Sequence, residues 1–289
     1  MKRATEHALT DQHELVKEQY DQAQSDGRYE EGMARMAVYH EHCQDPVIFE
    51  ALGDVHGKSL LDLACGDGFY TRRFRTECGA DPVMGIDLSP KAIERAQAIE
   101  EREQAGIDYR VGDVVGLELE RRFDVVTAIH LLHYLQNAAE IESALRAVHG
   151  LLTDDGYFVT MIANPEFELD RHDSSDSKTK FGYYFSLAEP GNGGLMRFHP
   201  GGFEKERELT VEFRRWERGF IDEIARKVGF NSTWHEPSIS SAGLKKYGAG
   251  FFANYLPNPQ SKLLRLTPTE AASYFPAQKC RFSGSTETA

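Results

Sequence analysis

The stretch LLDLACGDGFYTRRF, residues 60–74, reads as a buried strand, a tight turn holding Gly66 and Gly68, and then a helix. SLLDLA at 59–64 is a near-continuous apolar run, the pattern of a parallel strand covered on both faces. The two glycines mark positions where backbone passes close to something. A strand–turn–helix unit of this kind suits either a dinucleotide pyrophosphate or another nucleoside-bearing cofactor.

Outward from that unit, strands and helices alternate. PVMGID makes a second strand, and the helix after it opens with Ser89 as N-cap and Pro90 at the first helical position. IDYRVGD is a short third strand and FDVVTAI, 123–129, a fourth. Ala138, Ile141, Leu145, Val148 and Leu152 mark a helix, and GYFVTMIA, 156–163, a fifth strand. The rhythm predicts an α/β fold with a doubly wound, mostly parallel sheet and right-handed crossovers. A helix over 217–228 buries Phe220, Ile221, Ile224 and Val228, and NSTWHEPSI and PQSKLLRL supply two closing strands, for seven in all.

Around this core, residues 1–58 are expected to form a helical cap, with Leu9, His13, Val16 and Tyr20 on one face of a helix over 6–24. Residues 164–204 lack clear periodicity; their aromatic, glycine-rich second half points to a lid over a substrate site. Residues 205–267, including RELTVEFRRW with Leu209, Val211 and Phe213 on one face, should complete the sheet, leaving 268–289 as a tail.

Composition narrows the function. A net charge of -13 repels polyanions, and the densest basic clusters, Arg72–Arg75 and FRRWER at 213–218, read as solvated faces, so nucleic acid is not expected as partner. No run approaches the roughly 18 apolar residues of a membrane helix, and the N-terminus lacks a signal core. Cys43, Cys65, Cys78 and Cys280 form no CxxC pair, which fits a reducing, cytoplasmic home for a monomer or homodimer.

A dinucleotide fingerprint needs a third glycine where this chain has Thr71. Asp87, ending the second strand in GID, can accept both ribose hydroxyls of NAD or of S-adenosylmethionine equally well. Asp113, in YRVGDV, can take an adenine amino group while the Val114 N–H serves a ring nitrogen. Asp62 suits the amino group of a methionine moiety, or else ties the turn to neighbouring groups. Three acids and no phosphate-holding Lys or Arg in the turn favour a cationic sulfonium cofactor over a pyrophosphate.

The order LLDLACGDG, VMGIDLS, YRVGDV, FDVVTAIHLLHYL resembles the class I S-adenosylmethionine-dependent methyltransferases over roughly residues 59–163, with a weaker match through WERGFIDEIARKVGF and the last strands. The resemblance implies a Rossmann-like fold. It implies that Gly66 and Gly68 line the methionine and ribose portion, that Asp87 binds the ribose with Leu88 flanking adenine, and that Asp113 and Val114 hold the adenine edge. His130 would contact the methionine end through its backbone, and Tyr20 would belong to an N-terminal helix closing over the cofactor.

For the acceptor, HLLHY at 130–134 places His130, His133 and Tyr134 on one face if it turns helically. His133 is then a catalytic candidate, as general base or hydrogen-bond donor, or else packs under the lid; Tyr134, Tyr183, Tyr184 and His199 are substrate-pocket candidates. His130 and His133 lack a third ligand, so no metal is expected. The chain has AIHLL where nucleic-acid amino-methyltransferases carry an Asn/Asp-Pro-Pro-aromatic motif, and His130 where catechol-type metal enzymes place an aspartate. These departures imply metal-free, in-line methyl transfer to an N or O atom of a planar small molecule of the secondary-metabolite kind. The alternatives are a catalytically silent cofactor-binding scaffold or an NAD-dependent reductase.

Overall fold

The computed structural model describes residues 17–22, 25–201 and 209–269. Residues 1–16, including Leu9, His13 and Val16 of the expected cap helix, and the tail from 270 onward lie outside them, as do 202–208.

Strand β1 (Leu60–Leu63) is buried along its whole length, as its unbroken apolar run requires. With β2 (Val83–Asp87), β3 (Ile107–Val111), β4 (Phe123–Ile129) and β5 (Leu152–Ala163) it forms the parallel part of the main sheet. The later strands β9 (Phe230–His235) and β10 (Ser261–Pro268) complete seven in the order β3-β2-β1-β4-β5-β10-β9, with β10 antiparallel to both neighbours. Strand order reverses between β1 and β4, which leaves a crevice outside their carboxyl ends.

Alternation along each strand feeds two cores. Leu61, Leu63, Val126 and Phe158 pack against the helices Ala138–Leu151 and Arg218–Val228. Leu60, Val125 and Val159 face the other way, towards Asp45–Leu52, Phe69–Thr76 and Pro90–Glu103. The helix starts are chemically specified: Ser89 Oγ accepts from the Ala92 N–H at 3.1 Å, and Asn137 Oδ1 from those of Ala139 and Glu140.

Residues 164–200 are more regular than their sequence suggests, holding a helix (Ser174–Phe181) and the strands β6 (Tyr183–Leu187) and β7 (Gly194–Pro200). Strand β8 (Val211–Arg215), grouped by sequence with completion of the main sheet, instead pairs with β7 in a second, antiparallel sheet β6-β7-β8. Alternating apolarity identifies a strand but does not say which edge it joins. This sheet packs a third core of Tyr183, Phe185, Met196 and Phe213 against Met36, Tyr39 and Phe252.

Candidate active site

A cavity of about 350 Å³ is lined by the carboxyl ends of β1, β2 and β4 and, at its other end, by Tyr183, Phe185 and Phe198 of the second sheet. That size is ordinary for a small-molecule site.

At the strand ends the glycine turn and the β2 carboxylate are tied together. Gly66, with φ 58°, donates its N–H to Asp87 Oδ2 at 2.8 Å, and Asp87 Oδ1 accepts from the Ser89 N–H at 2.8 Å. A Cβ on Gly66 would project into open space, so the bare backbone forms part of the cradle. Burial raises the Asp87 pKa, as do the neighbouring acids Asp21 and Asp67. Asp67, which the sequence reading passed over, also lines the cavity, and burial lifts its carboxyl too. Leu88 is 37% exposed at the rim, Val114 is buried, and Asp113 Oδ1 accepts from the Val115 N–H at 2.9 Å. All three line the cavity.

Two expectations at this end are amended. Gly68 is not among the lining residues; with φ 82° it starts the helix Phe69–Thr76, and a side chain there would collide with the Tyr109 ring. The close neighbour that demands glycine is the protein itself. Asp62 does border the cavity, but it is 2% exposed and both oxygens are engaged, by Thr71 Oγ1 at 2.6 Å and Thr127 Oγ1 at 2.7 Å. The threonine at the third fingerprint position thus serves this carboxylate. Burial pushes Asp62 up to about 6.

The N-terminal segment closes this end. Tyr20, in the helical stretch 17–22, shares a 2.7 Å hydrogen bond with the Tyr134 hydroxyl, and Ser89 Oγ donates to Asp21 Oδ1 at 2.6 Å. Burial raises the pKa of both tyrosines.

His130 and His133 lie between the two ends. His130 adopts the left-handed region, φ 67°, unusual for a residue with a side chain; its N–H donates to Met161 O at 2.9 Å and its Nε2 lies 3.3 Å from Gln44 Oε1. The segment forms a 3₁₀ turn over Leu132–Tyr134 rather than an α-helix, and His130, His133 and Tyr134 all reach the cavity. His133 Nδ1 accepts from the Ala163 N–H at 3.3 Å, so the neutral ring carries its proton on Nε2. Burial holds His133 well below the ordinary histidine range and lowers His130 to about 4. In that tautomer Nε2–H is a hydrogen-bond donor.

His40, lowered to about 3 by burial, also faces the cavity from a π-helical turn, His40–Gln44. No sequence signal marked it, because a π turn breaks the helical spacing from which a face is read.

The far end is an aromatic chamber. Tyr183 lines it, 5.0 Å from the Tyr39 ring, and Phe185 stacks on its cross-strand partner Phe198 at 5.2 Å. Tyr184 and His199 do not line the cavity. They pair across β6 and β7, stack on each other at 4.2 Å, and His199 bonds to Ser186 Oγ and Thr210 Oγ1. Neighbours of inward-facing strand residues necessarily point the other way. Among the described residues no group of three or more His, Cys, Asp or Glu is placed to hold a metal ion, and no helix is long and apolar enough to cross a membrane.

Comparison with known proteins agrees with this arrangement. Residues 60–156 match the family described as "Methyltransferase domain". A ribosomal protein L11 methyltransferase of Burkholderia vietnamiensis is 42% identical over 25% of this chain and 23% of its own. A demethylmenaquinone methyltransferase of Lactococcus lactis is 25% identical over 73% of this chain and 77% of its own. Across these relatives and an uncharacterized protein of Haemophilus influenzae, the chain spans between 23% and 77% of their length. Among solved structures, an S-adenosylmethionine dependent methyltransferase from Mesorhizobium loti shares the fold with a TM-score of 0.55, at 23% identity, covering 76% of this chain and 95% of that one. The strand ends fit the cofactor of this family, S-adenosylmethionine. Gly66 leaves room for close approach, and three carboxyls, the buried Asp62 and the half-buried Asp67 and Asp87, favour a cation. Strand order and turn chemistry agree with that match: residues 60–156 are similar to a methyltransferase domain, and the sheet has the Rossmann-like fold of the solved S-adenosylmethionine-dependent methyltransferases.

Proposed function

We propose that this protein methylates a planar small molecule, of the kind found in secondary metabolism, by in-line displacement at an N or O atom. S-adenosylmethionine supplies a methyl group on a cationic sulfur. The observation that carries the reading is the single cavity shared by the strand-end carboxylates and the aromatic chamber, which puts donor and acceptor in one enclosure. The name of the Lactococcus relative agrees with a small acceptor; that of the Burkholderia relative names a protein, but its similarity is confined to a quarter of this chain.

In this reading Asp87 holds the ribose, with Asp113 and the Val114 N–H at the adenine edge. The bonds of Tyr20 to Tyr134 and of Ser89 to Asp21 hold the N-terminal segment over the site and exclude water. His133 donates from Nε2 to the acceptor and fixes its approach, and alignment of the reacting atoms supplies most of the acceleration.

Calorimetry with S-adenosylmethionine, followed by incubation of the labelled donor with a metabolite extract, tests the reading. Binding and a labelled small product are expected. Binding without transfer to any acceptor would favour the silent scaffold, and a melting temperature raised only by NAD would favour the reductase.

A further inference from the structure

Two buried polar atoms in the aromatic chamber have no completed hydrogen bond among the described residues. Tyr39 is 3% exposed and Gln260 6%, both line the cavity, and neither Tyr39 Oη nor Gln260 Nε2 completes a hydrogen bond among the described residues. Their placement follows from the sheet: Ser261 pairs with Ala163, and the Asn164 N–H donates to Gln260 O at 2.8 Å, so Gln260 sits at the carboxyl edge of β5. The side chains of Ser261 and Gln260 both interact with Tyr39, and that of Gln260 with Tyr183, but none of these contacts completes a hydrogen bond to the Tyr39 hydroxyl or from the Gln260 amide nitrogen. Buried donors left open in this way are rare unless something else supplies the acceptor.

The surrounding walls are uncharged. From Tyr39 a continuous aromatic path runs through Tyr183, Phe185 and Phe213 to His133 and His130, with ring centroids 5.0 to 5.8 Å apart. Both histidines are kept neutral by burial. The formally charged lining residues come from the strand ends and the N-terminal segment. Asp62, Asp67, Asp87 and Asp113 are at the ends of β1 to β3, Arg28 is paired with Asp26, and Lys17 belongs to the 17–22 helix.

We infer that the acceptor is an uncharged planar ring compound bearing a carbonyl or hydroxyl oxygen, and that Gln260 Nε2 and Tyr39 Oη are the donors that recognise this oxygen. The rings of Tyr183, Phe185 and Phe198 supply the apolar contact. Carboxylate, phosphate and ammonium compounds are rejected because nothing in the chamber compensates their desolvation. This specificity rests on the methyl-transfer reading above and names the class of molecule it acts on.

Four probes with one ring system separate the possibilities: 1-naphthol, 1-methylnaphthalene, 1-naphthoate and 1-naphthylmethylamine, titrated at pH 7 into protein saturated with S-adenosylhomocysteine. We expect 1-naphthol to bind about 10-fold or more tightly than the other three. Gln260→Leu and Tyr39→Phe should each weaken 1-naphthol about 10-fold while leaving 1-methylnaphthalene and S-adenosylhomocysteine unchanged. Tyr39→Phe removes one oxygen and keeps the ring, so it carries the test should Gln260→Leu fail to fold. Equal binding of a charged probe, undiminished 1-naphthol affinity in Tyr39→Phe, or binding of none of the four to the loaded protein overturns the proposal and leaves methyl transfer standing. Failure of the wild type to bind S-adenosylhomocysteine removes both.

Discussion

The strand-end pocket and the aromatic chamber share one cavity but are built on opposite principles. The first draws on three short stretches, 62–67, 87–89 and 113–115, and is held by carboxylates gripping backbone N–H groups and threonine hydroxyls. The second gathers Tyr39, His133, Tyr183, Phe213 and Gln260 from segments far apart in the chain and is held by ring packing. One end offers charge and hydrogen bonding, the other apolar shape, with the Tyr39 hydroxyl and the Gln260 amide as polar groups that complete no hydrogen bond among the described residues.

The largest effect is expected at Asp87. Asp87→Ala removes the proposed ribose acceptor and frees the Gly66 and Ser89 N–H groups together, so donor affinity should fall by about 100-fold or more in calorimetry. Retained affinity would mean that the charged end does not hold the cofactor.

Asp62 tests whether that end carries strain as well as function. Its carboxyl is raised from 3.8 to about 6 in the folded protein, so the folded state binds the proton more tightly than the unfolded chain. Stability should fall as pH rises from about 4 to about 6, by up to about 3 kcal/mol for this group. Denaturation midpoints across that range should show the wild type losing ground to Asp62→Asn, and a constant difference would remove the claim.

At the boundary between the regions, His133→Ala should lower turnover about 10-fold with donor affinity near wild type, as expected for one lost hydrogen bond to the acceptor. Unchanged turnover would take His133 off the catalytic list. Tyr20→Phe breaks the bond to Tyr134 and should weaken donor binding only several-fold. The smallest effect belongs to the outer face of the second sheet. His199→Ala should leave donor affinity and turnover unchanged while lowering the melting temperature, since His199 bonds Ser186 and Thr210 away from the cavity. A turnover defect there would extend the chamber to a face the geometry excludes.

Much of the strand-end pocket was legible in advance. Buried parallel strands leave unbroken apolar runs, and Asp87, Asp113 and Gly66 sit at fixed offsets from them. Gly68 was misread because a glycine forced by Tyr109 looks, in one dimension, like a glycine opened for a ligand. Thr71 counted only as a missing glycine until its hydroxyl was found on Asp62. In the chamber, Tyr183 could be named from its aromatic surroundings, but Tyr184 and His199 were included with it because the phase of β6 and β7 relative to the cavity depends on their pairing.

The primary structure was enough to establish a doubly wound sheet, its glycine turn and its carboxylates, because each is a local pattern set by backbone period and burial. Folding in three dimensions was required to enlist His40, to close Tyr20 on Tyr134, to give β8 to a second sheet and to bring Gln260 beside Tyr39 in the chamber. Those outcomes depend on contacts between residues tens to hundreds of positions apart, and such contacts leave no period in the chain.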